Sequence, residues 1–137
     1  MIILDSDVVS GAMRAEPSIV SWLDRQPPTS VWTTAITVLE IRHGLAAMAA
    51  GRRRSEREDA FSRLISDKLQ NHVLAFDRAA AEETAALMGR RRTAGRPRDY
   101  RDSMIAGIAL AQRAALATGN VRDFDDLPVP VIDPWSE

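Results

Sequence analysis

The sequence predicts an α/β fold, a three-layer α/β/α sandwich in which a mainly parallel central sheet lies between two layers of helices. Short, mainly apolar runs alternate along the chain with longer segments of helical periodicity. Such alternation produces βαβ units with right-handed crossovers. A length of 137 residues suits one hydrophobic core, and no linker or internal repeat divides it, so we expect residues 1–137 to form a single domain.

Five short, mainly apolar runs are the predicted strands, and the first of them is apolar throughout, as burial on both faces requires. They occupy residues 2–4, 30–33, 73–76, 115–118 and 131–132. Helical segments are predicted at residues 8–13, 19–23, 38–50, 55–69, 77–93 and 100–113. Gly51 separates the third helix from the fourth, and Asp77 is the predicted N-cap of the fifth.

The composition excludes several kinds of site. The chain has no cysteine, which removes disulfides, thiolate catalysis and thiolate-bound metals, and it has only two histidines. A bound metal is therefore expected to be a hard cation with oxygen ligands. No basic leader is visible, and the longest run without charge has 14 residues, so we expect a cytoplasmic protein with no membrane contact.

The net charge of −1 conceals two segments of opposite sign. Residues 90–101 contain six arginines and one aspartate, whereas the residues from Asp123 onward contain five acids and no base. An arginine segment suits RNA, because guanidinium groups bind phosphate and stack on unpaired bases, and the candidates for this contact are Arg96, Arg98 and Arg101. The alternative is a solvated helix end. The acids after Asp123 have no predicted role beyond solubility.

Four acids, Asp5, Glu40, Asp102 and Asp123, follow predicted strands or open predicted helices. The carboxyl ends of parallel strands share one edge of a sheet, where such folds bind ligands. Carboxylates crowded there repel one another, and Mg²⁺ or Mn²⁺ converts that repulsion into binding. These ions activate water and neutralise charge on a phosphodiester. The pattern therefore predicts metal-dependent phosphodiester hydrolysis.

Each acid also has a structural interpretation. Asp5 fits a helix N-cap, Glu40 fits a Thr-x-x-Glu capping box with Thr37, and Asp123 fits a solvated turn. Asp102 is harder to explain in this way. Apolar residues three, four and seven positions after it place its carboxylate on the buried face of a helix, where an acid needs a cation or hydrogen-bond donors.

The order of four motifs resembles that of PIN domains, and more narrowly that of VapC/FitB-type toxins of bacterial toxin–antitoxin pairs. The motifs are Leu4-Asp5-Ser6-Asp7-Val8, Thr37-Val38-Leu39-Glu40, Asp102-Ser103-Met104-Ile105-Ala106 and Thr118-Gly119-Asn120-Val121-Arg122-Asp123. The resemblance implies that the four acids bind Mg²⁺ or Mn²⁺ in an endoribonuclease. It also implies a homodimer and inhibition by a cognate antitoxin, through which alone the protein would contact DNA.

Two further positions match the family pattern and two depart from it. Ser6 and Thr118 match hydroxyl positions that hold metal-bound waters or neighbouring acids in the family. Asp7 stands where asparagine or another uncharged polar residue is usual, and it is expected to alter metal affinity or pH dependence. Gly119 stands where arginine is common, so a substrate contact is expected to be missing.

Two other functions compete with this interpretation. Asp5-Ser6-Asp7-Val8 also fits the first motif of haloacid dehalogenase-like phosphatases, with Asp5 as nucleophile and Asp7 as general acid and base. That chemistry needs a lysine, and Lys68 is the only one in the chain. A PIN-like module that binds RNA or an antitoxin without cutting is the non-enzymatic alternative, and the retention of all four acids argues against it.

Overall fold

Five parallel strands form the central sheet of the computed structural model, which describes residues 1–137. They are β1 (Ile2–Leu4), β2 (Val31–Thr34), β3 (Val73–Leu74), β4 (Ala115–Ala117) and β5 (Val131–Ile132). Their spatial order is β3-β2-β1-β4-β5. In the register of the central strand, Ile2 lies opposite Val31 on one side and Ala115 on the other. The predicted sheet is confirmed, and it is parallel throughout.

Six α-helices flank the sheet. They are α1 (Ser6–Met13), α2 (Pro17–Asp24), α3 (Ala35–Ala46), α4 (Arg52–Arg63), α5 (Arg78–Thr93) and α6 (Tyr100–Gln112). None of them combines the length and the apolar character that crossing a bilayer requires.

The hydrophobic core has two parts, one on each face of the sheet. Leu4 packs with apolar residues of α1 to α4, whereas its neighbour Ile3 packs with those of α5 and α6. Leu116 and Ala117 of β4 divide between the two parts in the same way. Successive residues of a strand point to opposite faces, so this division confirms the predicted three layers.

The sheet has a topological switch point between β1 and β4. The chain moves outward from β1 to β2 and β3, and later returns to place β4 and β5 on the other side of β1. A crevice forms at the carboxyl ends of the strands where the connections diverge in this way, and ligands of open α/β sheets bind there. The residues that follow β1 and β4 therefore face a common crevice.

The predicted capping box at Thr37 is wrong. Helix α3 begins at Ala35, and the hydroxyl of Thr34 accepts a hydrogen bond from the Thr37 amide at 3.1 Å. Thr34 is the last residue of β2 and has extended backbone angles, which are those of an N-cap residue, so the helix starts directly after the strand. Glu40 is consequently in the middle of α3 and free of a capping role.

The helix predicted at residues 55–69 begins and ends at other residues in the structure. Helix α4 begins at Arg52, three residues before the predicted start, and it ends at Arg63. A π-helical turn, Leu64–Lys68, continues it. Phe61 and Leu69 are both buried on the face of the sheet that carries α1 to α4.

Candidate active site

Asp5 lies at the switch point, directly after the central strand. Its Oδ1 accepts a hydrogen bond from the Ser6 amide at 2.8 Å, so the predicted N-cap role is confirmed. Its Oδ2 accepts a second one from the Thr118 hydroxyl at 2.8 Å. Thr118 follows β4, so this bond spans the crevice between the two strands. Only 4% of Asp5 is exposed to solvent.

The electrostatic environment of Asp5 favours its protonated form. The pKa of Asp5 is raised to about 7, chiefly by burial and then by the negative charge of Asp7, although the hydrogen bonds from Thr118 and Ser6 lower it. The charge of Asp102 adds to the increase.

The other three predicted acids are linked to Asp5 through Asp102, which acts on Asp5 and is itself affected by Glu40 and Asp123. Asp102 is in the first turn of α6 and is half-buried. Its pKa is raised by burial and by the negative charges of Asp99, Asp123 and Glu40. Since Asp102 also acts on Asp5, the four predicted acids form one electrostatically coupled group at the edge of the sheet.

Glu40 is held between two other helices. Its Oε1 accepts a hydrogen bond from the Ser6 hydroxyl at 2.6 Å, and its Oε2 is 3.7 Å from the guanidinium of Arg101. Ser6 belongs to α1 and Arg101 to α6, so the glutamate joins three helices at the crevice.

The two departures from the family pattern, Asp7 and Gly119, are in contact with each other. The Gly119 amide donates a hydrogen bond to Asp7 Oδ2 at 2.8 Å. A Cβ atom at position 119 would lie 2.9 Å from that oxygen and 2.9 Å from the ring of Trp135. The Trp135 indole in turn donates to Glu16 at 2.9 Å. A side chain at position 119 is therefore incompatible with the contacts of Asp7 and Trp135. Burial also raises the pKa of Asp7.

Asp123 lies in a 3₁₀ turn, Val121–Phe124, that is attached to the helices by a buried arginine. Arg91, which is 3% exposed, donates from Nη2 to the Asp123 carbonyl at 3.0 Å and from Nη1 to the Ser103 hydroxyl at 3.1 Å. It also forms an ion pair with Asp126. Ser103 follows Asp102, so Arg91 links the backbone segments that carry two of the acids.

Arg91 and Ser103 were not predicted to have a role at the site. The one sequence feature that points to Arg91 is the segregation of charge, with basic residues at 90–101 and acidic residues from Asp123 onward. That feature does not indicate which arginine is buried.

The arginines predicted to contact RNA differ in how they are paired. Arg96 lies 3.6 Å from Asp125, and Arg101 lies 3.3 Å from Asp99 in addition to its contact with Glu40. Arg98 forms no ion pair with a carboxylate within 4.0 Å. Of the three, Arg98 has the guanidinium most available to another anion.

The donor set fits a hard divalent cation in its chemistry. Carboxylates and hydroxyls are the ligands that Mg²⁺ and Mn²⁺ prefer, and a cation would offset the burial and the repulsion between carboxylates that raise the pKa of Asp5. No three acidic or histidine side chains converge as a ready ligand group, so a cation would have to draw the carboxylates together.

Comparison with known proteins places the chain in a family. The PIN domain model matches residues 2–130. VapC ribonuclease Y4jK of Sinorhizobium fredii is 36% identical over 137 residues, which cover 98% of each chain. Toxin FitB of Neisseria gonorrhoeae is 30% identical over 100% of both. The FitAcB crystal structure from Neisseria gonorrhoeae matches 100% of both chains with a TM-score of 0.86 and 30% identity. This chain belongs to the PIN domain family and is a relative of VapC and FitB within it.

Proposed function

We propose that this protein is a metal-dependent endoribonuclease and the toxin of a toxin–antitoxin pair. The observation that supports this most strongly is the coupling of Asp5, Glu40, Asp102 and Asp123 at the switch point, with the pKa of Asp5 raised to about 7. Perturbed carboxyl groups gathered in a crevice are typical of catalytic sites. The relatives named VapC ribonuclease and Toxin FitB match nearly the whole chain, and the FitAcB structure has the same fold.

In this proposal Asp5, Glu40, Asp102 and Asp123 hold Mg²⁺ or Mn²⁺, directly or through water. The bound cation supplies an activated water and neutralises charge on the phosphodiester. Thr118 and Ser6 orient the carboxylates of Asp5 and Glu40 through their hydrogen bonds. Such outer contacts fix the direction in which a ligand presents its oxygens.

The partners follow from the same proposal. RNA is the substrate, and a cognate antitoxin is the inhibitor. The relative FitB is a toxin by name, and the similar solved structure is of FitAcB rather than of FitB alone. We also propose a homodimer, a cytoplasmic location and DNA contact only through the antitoxin.

The proposal is tested by RNA cleavage with purified protein. We expect labelled structured RNA to be cut in Mg²⁺ or Mn²⁺ and to stay intact in EDTA. Asp5→Asn and Asp102→Asn should abolish cleavage while the circular dichroism spectrum stays unchanged. Asp59→Asn, at an exposed position of α4 with no ion pair, is the matched control and should cleave like the wild type.

Two outcomes would contradict the proposal. Unchanged cleavage by folded Asp102→Asn would show that the four acids do not take part in the reaction. Tight RNA binding without cleavage in any divalent metal would favour the non-cleaving module instead. The phosphatase alternative needs Lys68 beside Asp5, but Lys68 donates to Asp24 at 2.7 Å, and the hydrogen bonds of the Asp5 carboxylate come from Ser6 and Thr118.

A further inference from the structure

A basic cleft lies between the end of α5 and the start of α6, the helix that carries Asp102. Its volume is about 480 Å³, within the range of small-ligand pockets, ~300–1,000 Å³. Arg91, Arg92, Arg98, Tyr100 and Ser103 contribute to its lining, which includes no acidic residue. Tyr100 and Ser103 belong to the first turns of α6, as Asp102 does, so the cleft lies at the end of the helix that carries this acid.

Three of these side chains are available to a ligand. Arg92 and Arg98 form no ion pair within 4.0 Å, whereas Arg91 is committed to Asp126. Tyr100 is 69% exposed, more than any other large apolar side chain in the chain. Its ring takes part in neither the aromatic stack nor the cation–π contact that the protein contains. The cleft thus offers two free guanidinium groups and a free aromatic face.

We propose that this cleft binds one nucleotide of single-stranded RNA next to the scissile phosphate. Arg92 and Arg98 hold its phosphate, and the base stacks on Tyr100. Guanidinium groups match phosphate oxygens through paired hydrogen bonds, and an exposed aromatic ring binds a base through its π-face. An acidic peptide would use the same arginines but has no need of the ring. The proposal rests on the proposed ribonuclease function.

Tyr100 is the only tyrosine in the chain, so incorporation of 3-fluorotyrosine produces a single ¹⁹F resonance from the cleft. We expect this resonance to shift when a short single-stranded oligoribonucleotide is added in EDTA, where RNA is not cut. The shift should be lost in the Arg92→Ala/Arg98→Ala double variant. It should persist in Arg53→Ala, which removes an exposed arginine of α4 that has no ion pair.

Affinity measurements separate stacking from folding. Tyr100→Ala should bind the oligonucleotide about tenfold more weakly, since stacking of one base on an aromatic ring contributes about that much or more. Tyr100→Phe keeps the ring and should bind like the wild type. Equal binding by Tyr100→Ala and wild type would overturn the proposal, as would a resonance that responds to polyglutamate but not to RNA.

Cleavage by the same preparations in Mn²⁺ distinguishes the proposed nucleotide cleft from the proposed ribonuclease function. Cleavage together with an unmoved ¹⁹F resonance overturns the nucleotide cleft and leaves the ribonuclease intact. A shifted resonance without cleavage supports nucleotide binding in the cleft but overturns the ribonuclease, and with it the position beside a scissile phosphate. Absence of both RNA binding and cleavage overturns both.

Discussion

Arg91 and Asp126 form a two-point ion pair, with Nε 2.8 Å from Oδ2 and Nη2 3.0 Å from Oδ1. The arginine is 3% exposed, whereas the aspartate side chain is 37% exposed. This contact lowers the pKa of Asp126. It fastens the segment after β4, which carries Asp123, to the end of α5.

The ion pair explains why the charges of the chain are segregated. The arginines of residues 90–101 and the acids from Asp123 onward meet in the fold, since Arg96 also pairs with Asp125. Asp133 accepts hydrogen bonds from the Trp135 amide and the Ser136 hydroxyl. Asp125, Asp126 and Asp133, to which the sequence assigned no role beyond solubility, therefore have structural contacts.

Loss of Asp126 should destabilise the protein more than its own exposure suggests. Asp126→Ala leaves the buried guanidinium of Arg91 without a counter-ion, which should lower the free energy of unfolding by about 2–3 kcal/mol. The double variant Arg91→Met/Asp126→Ala buries no charge and should lose less. Urea denaturation at neutral pH measures both values.

The matched control for Asp126 is its neighbour Asp125, whose partner Arg96 is 55% exposed. A solvated pair contributes about 0–1 kcal/mol, so Asp125→Ala should change stability little. Equal losses in Asp125→Ala and Asp126→Ala would show that the buried pair has no special structural role.

The stability of the metal-free protein should decrease as pH rises from about 4 to about 7. The folded protein binds the Asp5 proton more tightly than the unfolded chain does, because its pKa is raised from 3.8 to about 7. Ionisation therefore opposes folding between those values, by ~1.4 kcal/mol per pH unit at most. Mg²⁺ or Mn²⁺ should reduce the decrease. Denaturation in EDTA and in Mg²⁺ across this range measures it.

Asp5→Asn supplies the comparison for this pH dependence. The variant has no proton to lose at position 5, so its stability in EDTA should vary less with pH, whereas Asp59→Asn should behave like the wild type. An Asp5→Asn protein that retains the full pH dependence would assign the effect to another group.

Removal of the Thr118 hydroxyl should move the pH dependence of cleavage to higher pH. The hydrogen bond from Thr118 lowers the pKa of Asp5, so Thr118→Val, which keeps the shape, should raise that pKa further. Activity at neutral pH should fall about tenfold, as is usual for loss of an outer contact. Thr93→Val, at an exposed site, is the control. Rate profiles that superpose in pH would contradict the role of Thr118.

A methyl group at position 107 should separate α5 from α6. A Cβ atom there would lie 2.8 Å from the Ala80 carbonyl and would collide with the Thr84 hydroxyl. Gly107→Ala should therefore cost about 1–3 kcal/mol of unfolding free energy. Gly89→Ala meets nothing within 4 Å and should stabilise α5 by roughly 0.5–1 kcal/mol. Thermal denaturation distinguishes the two, and a neutral Gly107→Ala would refute the close packing.

The strands and the positions of the acids were predictable because they depend on local patterns. Ile2–Leu4 is apolar and ends at an acid, so both the buried strand and the location of Asp5 at its carboxyl end follow from a few residues. The same reasoning applies to β4 and Thr118. Parallel strands then bring these ends to one edge of the sheet.

The remaining features depend on choices between similar residues or on distant contacts. Thr34 and Thr37 both fit an N-cap, and the extended end of β2 decides in favour of Thr34. Burial of Arg91 depends on Asp126, 35 residues away, and no local pattern distinguishes it from Arg90 or Arg92. Contact of Asp7 with Gly119 likewise requires the completed sheet.

The central claim is that Asp5, Glu40, Asp102 and Asp123 form one metal site, and anomalous diffraction from Mn²⁺-soaked crystals tests it most directly. We predict a manganese peak in the crevice between β1 and β4, within bonding distance of Asp5 and Asp102, and its loss in an Asp5→Asn/Asp102→Asn crystal soaked in the same way. A peak elsewhere on the protein, or a fully soaked wild-type crystal with no peak between these carboxylates, would contradict the claim.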